Sequence, residues 1–330
     1  MEEIFNELIN FAIKKNATDI HLEAKKRESC QVSMRVKGKV TQLFEYDSKE
    51  AAKLINYIIY RANLDIVDNQ TIHTGMIRYQ QGEKNIFLRV SVLFAQYSKG
   101  IVIRILNNHQ AISLTNLSLI NNNLAQLKKI ITFNNGLVIF TGKTGAGKTT
   151  TLYAIIDEIK KNSNKKIISI EEPIEREIKD ILQISINSDV ITYFDVLKQV
   201  LRHDPDIIVI GEIRDERDLK LAVQAALSGH LVLTSMHSIN ALFAVNRLQE
   251  LKISPSDLRA CVKLIAYQEL CYSKTLQPFC LYEFIDNQQL NNYLNNQQLN
   301  YHQINDYKKV LRKELDFYES KWRTYFKSDC

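Results

Sequence analysis

The chain has 330 residues, 45% of them hydrophobic and 24% charged, with a formal net charge of +6. That length suits two ordinary domains with a sizeable core, and no stretch approaches the roughly 18 apolar residues of a membrane-spanning helix. The start MEEIFNELINFAIKKNATD lacks the basic region and apolar core of a secretory signal, and five scattered cysteines with no C-x-x-C pair argue against a disulfide framework or a zinc site.

These features make the chain a cytoplasmic globular protein by expectation. The mild basic excess is spread along the sequence and reads as solvated surface. Apolar positions at helical spacing (Ile4, Phe5, Leu8, Ile9, Phe11, Ala12) predict a first helix. TDIHLEA and CQVSMRVKGKV alternate as strands do. SKEAAKLINYIIYRANL returns to the helical period, with Ser48 placed as its N-cap. GMIRYQQ, NIFLRVSVLF and IVIRIL follow as strands, with turns expected at Gln81-Gly82 and Lys99-Gly100. Together they predict a smaller α+β domain over residues 1–106. NNHQAISLTNLS reads as a linker over 107–120.

From about Asn121 the pattern changes, and a second domain over 121–330 is expected. GLVIF, KKIISI, ILQISI, DIIVIG and HLVLTS are short apolar runs separated by helical segments. That is the signature of parallel strands buried on both faces with helical crossovers. Further on, NQQLNNYLNNQQLN is either a flexible excursion or a weakly amphipathic helix through Leu290, Tyr293 and Leu294. The last thirty residues look helical and carry no assigned chemistry.

The chemistry concentrates in GKTGAGKT, which fits G-x-x-x-x-G-K-[ST] as Gly142, Gly147, Lys148 and Thr149. Lys143, Thr144, Gly145 and Ala146 lie between, and Thr150 follows. Glycines let backbone N–H groups converge on phosphate oxygens that Cβ atoms would obstruct, and a helix N-terminus adds partial positive charge. Lys148 can reach the β- and γ-phosphates of a nucleotide, and the Thr149 hydroxyl can ligate Mg²⁺. In DPDIIVIGEIRD the strand end delivers Glu212, placed to hold Mg²⁺ at the ligand crevice of an open α/β sheet. SIEEPIE supplies Glu171, Glu172 and Glu175, any of which could orient or deprotonate an attacking water. His230 and His237 bracket HLVLTSMH, where one could sense phosphate or meet a neighbouring subunit.

FTGKTGAGKTTTLY, SIEEPIE, LRHDPDIIVIGEIRD and AALSGHLVLTSMHS, in this order, resemble the Walker A, Asp box, Walker B and His box of the type II secretion and type IV pilus ATPases. ATDIHLE, MRVKGKV, ANLDI and LRVSVL with IVIRIL resemble that family's N-terminal domain. The likeness covers roughly Met1 to Leu270. It implies a RecA-like P-loop NTPase C-terminal domain behind a smaller PAS-like α+β N-terminal domain, an ATP and Mg²⁺ requirement, and a homo-hexameric ring. It also implies Glu175 as water activator, Glu212 as Walker B acid, and His230 and His237 as His-box residues. Arg89 and Arg104 match N-terminal-domain arginines that approach the phosphates.

Three positions depart from the family pattern. Lys143 stands where proline is usual, Glu172 replaces the aspartate of the Asp box, and Glu269 in AYQELC replaces a basic residue. The missing paired-cysteine element and the short N-terminus place the chain nearest the family's competence-pseudopilus branch, acting at the inner face of the membrane through a polytopic platform protein. Pilus retraction, type II secretion and a weakly hydrolysing nucleotide-gated scaffold stay open. A nucleic-acid translocase lacks the basic, aromatic-interleaved groove it would need, so no direct nucleic-acid contact is expected.

Overall fold

A computed structural model describes residues 1–25, 29–36, 38–64, 72–82, 84–94, 98–106, 112–186, 192–273, 278–297 and 303–308. By their contacts they fall into two units, Met1–Gln110 with Pro173–Glu177, and Ala111–Glu172 with Ile178–Cys330.

The first unit contains α1 (Glu2–Lys14), β1 (Ala17–Lys25), β2 (Cys30–Val36), β3 (Lys39–Tyr46), α2 (Ser48–Arg61), β4 (Ile72–Gln81), β5 (Lys84–Phe94) and β6 (Ser98–Leu106). The strands form one antiparallel sheet in the order β3-β2-β1-β6-β5-β4. Alternation decides the faces. Ile20, Leu22, Val32, Met34, Leu88, Val90, Ile101 and Ile103 turn inward and bury against Phe5, Leu8 and Ile9 of α1 and Leu54, Ile55 and Ile58 of α2. Each such side chain contributes about 1.5–3 kcal/mol on burial, which is why amphipathic helices and alternating strands assemble here as an α+β unit.

Two local expectations are corrected. The N-cap of α2 is Asp47, whose Oδ1 accepts from the N–H groups of Lys49 (2.7 Å) and Glu50 (3.0 Å). A carboxylate there also meets the positive end of the helix, an advantage the Ser48 hydroxyl lacks. Lys99 and Gly100 form no turn but pair with Phe94 and Leu93 inside β6.

The outward face carries a charged row set by register. Arg89 on β5 lies opposite Arg104 on β6, Arg104 opposite Asp19 on β1, and Asp19 opposite Arg35 on β2. Like charges directly opposite are unfavourable, and Asp19 offsets the repulsion. It accepts from Arg104 Nε at 2.8 Å and lies 3.6 Å from Arg35 Nε. Burial works to raise the Asp19 carboxyl, but hydrogen bonds from Arg104 and Thr18 outweigh it and hold it below its usual range. Within the same unit the Glu177 carboxylate is held by Arg78 (3.0 Å) and Asn85 (2.7 Å). Glu175 lies in this short segment.

The second unit contains α3 (Asn121–Ile130), β7 (Gly136–Thr141), α4 (Lys148–Asn162), β8 (Ile167–Glu171), β9 (Leu182–Ser185), α5 (Tyr193–Val200), β10 (Ile207–Ile210), α6 (Glu216–Leu227), β11 (Leu231–Met236), α7 (Ala241–Glu250), α8 (Pro255–Cys261), β12 (Val262–Tyr272), β13 (Pro278–Asp286) and α9 (Asn287–Leu294). Its sheet has the order β13-β12-β7-β11-β10-β8-β9. Six strands are parallel and only β13 runs against its neighbour. β7, β8, β10 and β11 are buried throughout, as strands covered by helices on both faces must be.

The expected linker is partly core. Leu114 and Leu117 are buried with Leu127, Ile130 and Tyr282, and the Leu117 carbonyl accepts from Cys280 N at 2.6 Å. The polar tract forms α9 over Asn287–Leu294, capped by Asp286 and pinned by the fully buried Leu290, and its last three residues, 298–300, lie outside the described residues. Of the expected C-terminal helix, 303–308 is described. Ile304 is buried, its N–H donates to Glu283 Oε1 (3.1 Å), and Lys308 pairs with Glu269 at 2.7 Å. The remainder lies outside the described residues.

Candidate functional site

Parallel register brings the C-terminal ends of β7, β8, β10 and β11 to one edge of the sheet, where ligands of open α/β sheets bind. β7 ends at Thr141 and the glycine-rich loop begins at once. A Cβ on Gly142 would lie 2.6 Å from the Gln268 carbonyl oxygen, so only glycine lets the loop pass this close to β12. Gly147 takes φ 88° as the N-cap of α4, which has no side-chain cap. The first-turn N–H groups of α4 therefore face the loop without a competing side-chain oxygen, as an anion site requires.

Lys148 Nζ donates to the carbonyls of Gly142 (3.0 Å) and Lys143 (3.4 Å) and lies 3.4 Å from His237 Nδ1. Burial lowers the Lys148 ammonium, with Glu212 working in the opposite direction. His237, just past β11, joins two elements. Its Nδ1 is 3.1 Å from the Gly142 carbonyl and its Nε2 is 2.9 Å from Glu212 Oε1. Glu212, just past β10, thus faces His237 on one side and Arg214 Nε, at 3.7 Å, on the other. Arg214 Nη1 also reaches Glu172 Oε2 at 3.0 Å, and Glu172 retains only 13% of its side-chain exposure. Burial disfavours the Arg214 charge, but Glu172 and Glu212 more than compensate and hold its proton more firmly. Behind this pair the Tyr193 hydroxyl is pushed well up by burial and then by Glu172.

Of the sequence-predicted residues, the structure gathers Gly142, Lys143, Gly147, Lys148, Glu212 and His237. Thr144, Gly145 and Ala146 lie within the loop, and Thr149 and Thr150 open α4. Glu171 is taken up differently. It is buried and accepts from Tyr153, Ser169 and Gln183, tying α4 to β8 and β9. His230 precedes β11 at the opposite end of the sheet, where its carbonyl accepts from Gly136 N (3.0 Å) and its Nδ1 is 3.0 Å from the Ala225 carbonyl. At about 3.3 Å per strand residue it stands roughly 20 Å from His237. The structure does not bring it to the loop. Arg89, Arg104 and Glu175 belong to the first unit.

Two participants were missed in the sequence. Arg214 could have been found as a cation two residues after Glu212. Gln268 was visible as an amide in the apolar run LIAYQELC, and a fully buried polar side chain needs a partner.

Residues 1–315 match the family model described as type II/IV secretion system protein. The chain belongs to that family. By that membership it is an ATP hydrolase. It is 35% identical to competence protein ComGA of Bacillus subtilis (strain 168), over 85% of this chain and 78% of that protein. It is 36% identical to ComGA of Halalkalibacterium halodurans, over 82% and 80%. Type II secretion system protein E of Dickeya dadantii is 34% identical over 87% of this chain, which spans only 57% of that protein's length. Among solved structures, the Legionella pneumophila ATPase DotB matches with a TM-score of 0.72 at 20% identity, covering 94% of this chain and 88% of that one. The pilus retraction motor PilT with bound ADP also gives 0.72, at 23% identity and 94% and 89% coverage. These two likenesses establish the RecA-like fold.

Proposed function

We propose that the chain is an Mg²⁺-dependent ATPase motor, working as a homo-hexameric ring, that powers assembly of a type IV pilus-like competence pseudopilus for DNA uptake. The observation that carries the chemistry is the convergence of Lys148, Glu212 and His237 on the glycine-rich loop at the uncapped start of α4. The competence role draws on the two ComGA proteins, which this chain matches over most of their length.

The residues divide the work as follows. Loop N–H groups from Gly142 to Thr150 and the Lys148 ammonium bind the phosphates. The residues present suit Mg²⁺ in the usual manner of nucleotide sites, where one or two protein ligands join phosphate oxygens. Among the described residues no cluster of three or more His, Cys, Asp or Glu could cage a metal alone. Thr149 and Glu212 would hold the ion, which supplies charge neutralisation at the phosphates when bound. His237 links Glu212 to the Gly142 carbonyl, so movement at either is felt by the other. Glu175 orients the attacking water and takes its proton. Arg89 and Arg104 stabilise charge developing on the γ-phosphate. His230, remote from its own loop, is assigned to a neighbouring subunit's surface.

No described helix is long and apolar enough to cross a membrane. We place the protein in the cytoplasm, held at the inner face of the membrane by a polytopic platform protein. A weakly hydrolysing scaffold is the second reading, and it draws on Lys143 and on Glu172, whose carboxylate is committed to Arg214.

Phosphate release from Mg²⁺-ATP, measured over a protein-concentration series, tests the proposal. Turnover should rise with assembly, vanish in Lys148→Ala, and vanish in Glu175→Gln while ATP still binds. Full turnover by either variant refutes the assignment. Tight binding without release at every concentration favours the scaffold.

A further inference from the structure

We infer that Gln268 is a positioning residue for nucleotide binding: from β12, behind the phosphate loop, its side-chain amide holds the loop peptide that presents the Gly147 N–H. Gln268 is fully buried, and its Nε2 donates to the Ala146 carbonyl at 2.7 Å. The Ala146 oxygen is an acceptor, so the amide must turn its NH₂ toward it. Its own Oε1 is buried without a hydrogen-bond partner. Leaving a buried carbonyl unpaired is unfavourable. A methionine or leucine would fill the same space without that cost, so packing alone does not explain a glutamine.

Peptide planarity supplies the reason. The Ala146 C=O and the Gly147 N–H belong to one planar trans unit and point in opposite directions. Anchoring the carbonyl toward β12 therefore aims the Gly147 N–H away from the sheet, to the side where α4 begins. Two further contacts seat the same loop, and a third ties Cys280 to Gln268. The Gln268 backbone oxygen occupies the place a Cβ on Gly142 would need. Cys280, on β13, approaches the Ala146 carbonyl at 3.8 Å and Gln268 Nε2 at 3.7 Å. Burial keeps that thiol protonated, so it can add only a weak donor. β12 and β13 thus form the floor of the phosphate loop, and among the described residues Gln268 is their one strong donor to the loop backbone.

The inference rests on the reading of this loop as the nucleotide site, and the experiment separates the two. Gln268→Met keeps volume and apolar fit but removes the donor, and Gln268→Leu removes it with a second apolar shape. Full-length wild type and both variants are compared by amide hydrogen exchange of 142–147 without nucleotide, by thermal unfolding, and by affinity for a fluorescent ATP with Mg²⁺. Exchange in the loop should quicken severalfold in Gln268→Met while the β7 and β11 amides stay protected. Its melting temperature should change little, because the unpaired Gln268 carbonyl is gone while the Ala146 carbonyl loses its donor. ATP should bind roughly tenfold more weakly, which corresponds to about 1.4 kcal/mol, with KM raised and kcat at saturation changed less than about twofold. If Gln268→Met does not fold, loop exchange and affinity in Gln268→Leu decide the matter. Unchanged loop exchange in the folded variants overturns the inference, as does an affinity loss that merely tracks a lower melting temperature. A wild type that binds no ATP overturns the nucleotide reading instead, and loop exchange still decides the role of Gln268.

Discussion

Replacing Gly142 by alanine should damage folding far more than the same change at Gly145, three residues away in the same loop. At Gly142 the new methyl would sit 2.6 Å from the Gln268 carbonyl oxygen and 3.0 Å from the Ala146 Cβ, where ordinary contact begins at 3.4 Å. The obstacle is backbone within a paired strand and cannot rotate away, so loop or strand must move by several tenths of an ångström. Such overpacking costs about 1–3 kcal/mol. A φ of 156°, in a region nearly reserved for glycine, adds a further ~1–3 kcal/mol. We expect a loss of about 4 kcal/mol, or roughly 8–16 °C in the melting temperature of a domain this size. At Gly145 φ is 78° and nothing lies within 4 Å of the added Cβ. Only the left-handed backbone penalty of about 1–2 kcal/mol applies, a fall of roughly 2–8 °C. Differential scanning calorimetry of the nucleotide-free proteins reads both. Equal losses, or a smaller loss at Gly142, would refute the claim that close approach to β12, rather than backbone freedom alone, demands glycine there.

Two further outcomes follow from the acids beside the site. Burial and then Asp215 push the Asp218 carboxyl up to about 6, against a backbone hydrogen bond and the charge of Arg214. The folded chain therefore binds this proton more tightly than the unfolded chain, and the stability it contributes falls as pH rises from about 4 to about 6. Asp218→Asn should raise the melting temperature at pH 7 by about 3–6 °C, taking ~1.5 kcal/mol after allowance for solvent screening. The advantage should fade toward pH 4, and a gain that persists there would contradict the assignment. Arg214→Gln strips the guanidinium shared by Glu172 and Glu212. With half of Arg214 exposed we expect a loss of about 1–2 kcal/mol, and a double-mutant cycle with Glu172→Gln should give a coupling near ~1 kcal/mol. Strict additivity would show that the pair does not interact.

Much of the molecule was legible from local pattern. α1 and α2 followed from helical spacing because each buries one apolar stripe. The parallel strands of the second unit followed from continuous apolar runs, since strands covered on both faces have no polar side to show. β12 and β13 escaped the same reasoning because Gln268, Glu269 and Glu283 interrupt their apolar runs, and the polar groups find partners only in the folded chain.

The sequence by itself identified the phosphate loop, because its glycines, lysine and threonine fall within eight consecutive residues that run into the start of a helix. Glu212 and His237 were likewise readable as ends of apolar strands. Only the tertiary structure decided which side chains hold these groups in place. Gln268 meets Ala146 across 122 residues, and His237 meets Gly142 across 95. Arg214 chooses Glu172 rather than solvent, and Glu171 is drawn into the packing between α4 and β9. His230 falls at the far end of the strand that ends beside His237. Each of these depends on strand order and register, and register is set by the burial of whole faces rather than by any residue near the site.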